Sequence, residues 1–259
     1  MQEIDLTKSK DVIGAYDSID FSYERKTYTD YGTQYCFNVL DGKIVAGYNI
    51  QLACFRHLRD LQRQGDEDFP YVYSIEAFNR FLKFLSLVPN VDDLSQKLEP
   101  MDWQYFIFAQ LFAWFDLDDV PRFSNIIISI ARSQGKTMIA GICLNFSYLI
   151  EIIGQSNQDF LVSSLNFDQT MKLFTYVKSM MARIIENEPF KSLADETQVQ
   201  LYSREIKSLV DANTIHTISF ESGKFDGKHF KLAVADEVGE LRTDEGISKI
   251  TSGQVNTEG

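Results

Sequence analysis

Apolar residues in the first third of the chain recur at helical spacing. Leu52, Phe55, Leu58 and Leu61 fall three apart within Ile50 to Gln62, and Ile75, Phe78, Phe81, Leu82 and Leu85 form a second such set, so two amphipathic helices are predicted there. Asp66-Glu67-Asp68-Phe69-Pro70 separates them and Val88-Pro89-Asn90 closes the second, because a residue before proline is driven out of the helical region. From about residue 100 the texture changes to apolar runs alternating with helical segments. Asn125 to Ile130 is β-branched and almost wholly apolar, the pattern of a strand buried on both faces of a parallel sheet. A helix is expected over Thr137 to Ile150, a second strand over Asp159 to Ser163, and a long helix from Phe167 to Glu188 that ends before Pro189. Val199 to Phe220 holds three short β-prone pieces with a turn at Asp211-Ala212-Asn213, and Phe230 to Ala235 is a further buried strand. This βαβα order predicts an α/β fold, a mostly parallel central sheet flanked by helices, preceded by a mainly helical region. The change in texture divides the chain into residues 1–95 and 96–259.

Composition narrows the class without altering that picture. With 44% hydrophobic residues, 14 glycines and 5 prolines in 259 residues, the chain is neither a disordered tail nor a collagen-like or linker sequence. Cys36, Cys54 and Cys143 lie far apart without CxxC spacing, which suggests neither a disulfide framework nor a zinc site and points to a reducing compartment. The N-terminus carries acids early and has no apolar core of the secretory kind, and the longest uncharged stretch, Thr137 to Ile150, is too short to span a bilayer. A soluble cytoplasmic protein with no membrane partner is expected. The formal charge of −12 argues against a monomer that coats nucleic acid non-specifically, since phosphate binding rests on clustered Lys and Arg.

Between the Asn125–Ile130 run and the helix after it lies Ala131-Arg132-Ser133-Gln134-Gly135-Lys136-Thr137. A Gly-Lys-Thr at a strand-to-helix junction suits phosphate: the amides from Ser133 through Gln134 and Gly135 to Thr137 and the positive end of the helix face the anion, Lys136 neutralises charge, and Thr137 can reach Mg²⁺. The full pattern GxxxxGK[ST] requires glycine where this chain has Ile130, so the loop is a variant without its first glycine. About 100 residues downstream, Leu232-Ala-Val-Ala-Asp236-Glu237 places two acids at the carboxyl end of an apolar strand, where α/β sheets bind ligands. In a phosphate-loop enzyme the first acid, Asp236, serves Mg²⁺ and the second, Glu237, polarises the attacking water. Each motif alone also has a plain structural reading, a turn glycine beside a surface lysine and a strand end beside a solvated acidic loop. Their conjunction, each on the expected side of a buried strand and in the expected order, favours a nucleotide site.

With these residues in view, the chain resembles the large terminase subunit of tailed double-stranded DNA phages, whose N-terminal half is the ATPase of the genome-packaging motor. Arg56-His57-Leu58-Arg59-Asp60-Leu61 looks like the Arg-His-Leu-x-Asp-Leu segment of that family's N-terminal region. Leu98-Glu-Pro100-Met-Asp-Trp103-Gln104 resembles its adenine-reading glutamine motif, followed by Phe106-Ile-Phe and Phe112-Ala-Trp114-Phe. The family's variant phosphate loop also lacks the first glycine and carries an arginine ahead of the Gly-Lys, as Arg132 does here, and Phe225-Asp-Gly227 ahead of Ala235-Asp236-Glu237 matches the approach to its acidic motif.

The resemblance implies a Walker A and Walker B ATPase that uses ATP and Mg²⁺ to drive double-stranded DNA into a procapsid. It further implies a homo-oligomeric ring, a portal protein and a small terminase subunit as partners, and a place in the cytoplasm of the infected bacterial host. Gln104 would read adenine, for which an amide offers one acceptor and two donors, and Arg132 would place a fixed fork of donors against transition-state charge. Large terminases usually continue into a Thr/Ser-rich coupling strand and a nuclease with clustered acids; Ile247 to Gly259 reads as a helix end and loop before that strand, so DNA cleavage is not expected of this polypeptide. His57, His216 and His229 show no metal-ligand spacing, and no GxSxG nucleophile elbow occurs. Two other classes stay open: a helicase-like nucleic-acid-dependent ATPase, weakened because Val238-Gly239 rather than x-His follows Glu237, and a catalytically silent fragment acting as a protein-binding module.

Overall fold

A computed structural model describes residues 6, 10–93, 96–225 and 229–254. The chain forms two compact units, Met1–Lys83 with Glu99–Ile127, and Phe84–Leu98 with Ile128–Gly259.

In the first unit, short helices α1 (Val12–Asp17) and α2 (Ser22–Thr27) precede α3 (Tyr31–Leu40) and α4 (Tyr48–Arg63). Asp11 and Asp30 start α1 and α3 by accepting the backbone N–H three residues on, the usual way an aspartate satisfies a helix's first donors. The predicted helices are present: α4 extends the Ile50–Gln62 pattern by a residue or two at each end, and α5 covers Ile75–Leu85. Phe78 and Phe81 on α5 are fully buried, and Phe81 stacks on Phe112 of α6 (Asp102–Phe112) at 4.6 Å between centroids. A two-stranded antiparallel ribbon, β1 (Tyr71–Tyr73) with β2 (Trp114–Asp116), completes this unit. Helix α3 packs closely on α6 because Gly32 has no side chain; a Cβ there would stand 2.6 Å from the Ala109 Cβ.

The second unit carries the sheet. Its order is β4 (Val199–Leu201), β5 (Glu205–Ser208), β6 (Thr214–Thr217), β3 (Asp159–Ser163) and β7 (Phe230–Ala235). Strands β6, β3 and β7 are parallel, as the βαβ spacing predicts, whereas β5 and β4 are added antiparallel. The Asp211–Asn213 turn lies between β5 and β6, with Ala212 at positive φ. Helices α7 (Lys136–Phe146) and α8 (Phe167–Ile184) pack together, α7 on β7 and α8 on β3 and β6. α8 ends earlier than the pattern over Phe167–Glu188 implies, and α9 (Phe190–Thr197) follows Pro189. Helix α10 (Glu245–Gln254) also contacts β7, through a cluster of Leu161, Phe225, Phe230 and Ile250. Alternation along β3 thus splits its side chains between two apolar layers, the arrangement of a sheet covered on both sides.

One expectation fails. Asn125–Ile130 joins no ladder, and Ile126 and Ile127 are 44% and 89% exposed, so the run is not the doubly buried strand its composition predicts. Apolar β-branched residues favour a pleated surface but do not create the neighbour whose N–H and C=O groups make it a strand, and β-propensity is context before it is conformation. The helix expected over Thr137–Ile150 is α only to Phe146 and continues as one π-type turn, Ser147–Glu151.

Candidate nucleotide site

Gly135 opens α7 as its N-cap, at φ 80°, ψ 22°. This left-handed conformation suits glycine, which lacks the Cβ that would clash there. Ser133, two residues earlier, also sits at positive φ, 60°, where a residue with a side chain is uncommon. Together they turn the chain sharply over Arg132–Gly135. The first amides of α7 receive no side-chain cap, leaving donors that in most helices are satisfied by a serine, threonine or aspartate. Lys136 is the first residue of the helix; its Nζ donates to the Ile130 carbonyl at 3.4 Å and so reaches back across the loop. Arg132, Ser133 and Lys136 are exposed; Gln134, Gly135 and Thr137 are half-buried.

The acids end β7. The last rung of its ladder pairs Ala235 with Ser163 of β3, and the Asp236 N–H donates to the Ser163 carbonyl at 3.0 Å. Asp236 is half-buried, and its Oδ1 accepts the Glu237 N–H at 2.9 Å. Glu237 is exposed and left-handed, φ 57°, ψ 28°, which stops the strand and starts the 3-10 turn Val238–Glu240. Loop and acids therefore belong to one unit, carried by α7 and β7, which are in contact.

Gln104 lies in the other unit, at the third position of α6. It is 3% exposed and its Oε1 accepts the Met101 N–H at 2.8 Å, closing a capping box at the helix start. Asp226 and Gly227, which carry part of the resemblance ahead of the acids, fall outside the described residues. The Arg-His-Leu-x-Asp-Leu residues are internal. His57 is fully buried, its Nδ1 facing the Gln110 amide at 3.0 Å and the Trp114 indole N–H at 3.4 Å, its Nε2 3.0 Å from Thr33 Oγ1. Burial, assisted by Arg56 and Arg122, holds its pKa down at about 3, so it stays neutral. His216 pairs with Asp159 at 2.7 Å across neighbouring strands. Among the described residues no group of three or more His, Cys, Asp or Glu is placed to hold a metal, and no helix is long and apolar enough to cross a membrane.

Ser164 escaped the sequence reading. It is 1% exposed, directly after β3, and its Oγ donates to the Asp236 carbonyl at 3.3 Å. A hydroxyl doublet, Ser163-Ser164, closing an apolar strand at the same carboxyl end of the sheet as the acids was the available signal.

Comparison with known proteins bears on the family and the fold. No curated protein matches the chain. Its fold is similar to that of the large terminase of bacteriophage HK97, with a TM-score of 0.52 and 20% identity over 69% of this chain. The matched part spans 35% of that terminase. Residues 102–258, more than half of the chain, match the family described as terminase large subunit, ATPase domain, and the chain belongs to that family.

Proposed function

We propose that the chain hydrolyses ATP with Mg²⁺ to move double-stranded DNA into a procapsid, as the ATPase part of a phage packaging motor. The observation that carries this reading is the start of α7: a Gly-Lys-Thr turn without a side-chain cap, preceded by left-handed Ser133 and opened by left-handed Gly135, on a helix packed against the strand that ends in Asp236-Glu237. Helix-start amides fit a polyphosphate, whose charge the helix dipole and Lys136 would offset. The amides of Ser133, Gln134, Gly135, Lys136 and Thr137 bind the phosphates, and the Lys136 ammonium exchanges the Ile130 carbonyl for phosphate oxygen. Thr137 and Asp236 supply oxygen ligands of the kind Mg²⁺ prefers; the ion, when bound, neutralises charge on the terminal phosphates. Glu237 holds and polarises the attacking water, and Arg132 meets charge developing on the transferred group. Gln104 reads adenine with its amide. In this reading the working assembly is a ring of such subunits on a portal, fed with DNA by a small terminase subunit.

Calorimetric titration of the chain with Mg-ATP, beside Lys136→Ala, tests the reading. Binding heat present in the wild type and absent in the variant is expected; identical traces overturn the nucleotide site and leave a binding module. Steady-state turnover is then compared with blunt duplex, single strand and no DNA. Stimulation by duplex is expected, whereas preference for single strand with unwinding assigns a helicase.

A further inference from the structure

The carbonyl of Asp236 lies one residue beyond the last rung between β3 and β7, so strand pairing does not satisfy it. Ser164 Oγ does, at 3.3 Å. On the other side of the same peptide the Glu237 N–H donates to Asp236 Oδ1 at 2.9 Å. The peptide joining the two acids is thus held at both of its polar ends, and past it the chain turns left-handed at Glu237. A residue with a Cβ keeps that conformation only where its surroundings over-determine it.

Ser164 is itself anchored. Its N–H donates to Thr170 Oγ1 at 3.0 Å in the first turn of α8, Thr170 Oγ1 donates to the Asn166 carbonyl at 2.9 Å, and the Ser164 carbonyl accepts the Phe220 N–H at 3.0 Å. The hydroxyl therefore projects from a buried and fully tied segment rather than from a free loop.

We propose that Ser164 is a positioning residue for Asp236 and Glu237, pinning the peptide between them so that the Glu237 carboxylate keeps one direction. This rests on the ATPase reading above. The Asp236 carboxylate, which accepts the Glu237 N–H on Oδ1, would also be the group that holds a cation. If holding it turned the carboxylate and weakened the bond to the N–H, the grip of Ser164 on the carbonyl would keep the peptide plane from rotating. Removing it leaves Asp236 able to take the cation and lets Glu237 wander.

Ser163 provides the control. It is equally buried, yet among the described residues its Oγ has no hydrogen-bond partner, so Ser163→Ala deletes the same atom without loosening the acids. Loss of the one bond to the Asp236 carbonyl is expected to lower kcat for Mg-ATP on the order of fivefold in Ser164→Ala. KM is expected to change by less than about twofold, the signature of a lost transition-state interaction. Amide exchange over residues 235–238 speeds up in Ser164→Ala and not in Ser163→Ala. Equal exchange in the two variants overturns the proposal, whether or not the chain turns over ATP. Wild-type turnover with an unchanged kcat in Ser164→Ala overturns the positioning role alone. A wild type that neither binds nor hydrolyses Mg-ATP overturns the ATPase reading, and this proposal with it.

Discussion

Arg122 places its Nη1 2.8 Å from Asp60 Oδ2, and the guanidinium carbon lies 4.8 to 5.1 Å from the ring centroids of Phe69, Tyr71, Trp114 and Phe123. Asp60 is 4% exposed, so the pair is internal, joining α4 to the segment after β2. Removing one member leaves the other as an uncompensated charge among aromatic rings. Asp60→Ala is expected to cost about 3 kcal/mol. Both tryptophans lie in this unit, and urea unfolding followed by their fluorescence measures the loss. A change within about 0.5 kcal/mol contradicts the account.

His57 makes stability fall on the acid side. Its folded pKa, about 3, lies below the ordinary histidine value of 6.5, so below that upper value the unfolded chain takes up a proton that the fold refuses. The contribution is complete above 6.5 and is lost as pH falls toward about 3, at up to roughly 1.4 kcal/mol per pH unit. Unfolding free energy measured against pH is expected to slope less steeply in His57→Gln, which cannot titrate. Parallel slopes assign the acid sensitivity to other groups.

Gln104 serves the helix start through its carbonyl oxygen. Glutamate also completes a capping box but has no N–H to offer adenine. Gln104→Glu is therefore expected to lose preference for ATP over GTP, while burying a carboxylate at a position 3% exposed costs about 2 kcal/mol of stability. Retained preference removes the adenine role and leaves the cap.

Glu237→Gln keeps size and removes the base. Mg-ATP binding is expected to survive while turnover falls by roughly 10²- to 10⁴-fold, the usual contribution of a positioned general base. Single-turnover hydrolysis beside equilibrium binding separates the two effects. Undiminished chemistry transfers the water-activating role to another group.

Periodic elements were readable because local pattern and tertiary role agreed. Leu58 and Leu61 recur on the face of α4 that is buried, and the Phe230–Ala235 strand is present as its apolar run implies. Asn125–Ile130 misled because its residues state a preference whose fulfilment depends on a neighbouring strand. The Gly-Lys-Thr turn and the acid pair were legible as chemistry, since both depend on residue types at fixed local spacing. The aromatic box around Arg122 was not, because Phe69 and Trp114 are 45 positions apart in the chain and meet only after folding. Gln104 shows the limit from the other side: one residue satisfies a capping rule and resembles a recognition motif, and spacing alone does not separate them.

The backbone of Glu237 asks for glycine while the proposed chemistry asks for a carboxylate. Replacement by glycine should relieve that conflict and harden the molecule by about 1 kcal/mol, while silencing it. Laboratory evolution for heat resistance alone would favour that exchange, at the cost of the proposed chemistry. Selections on this scaffold therefore need a functional gate in every round, because at this one position durability and work pull in opposite directions.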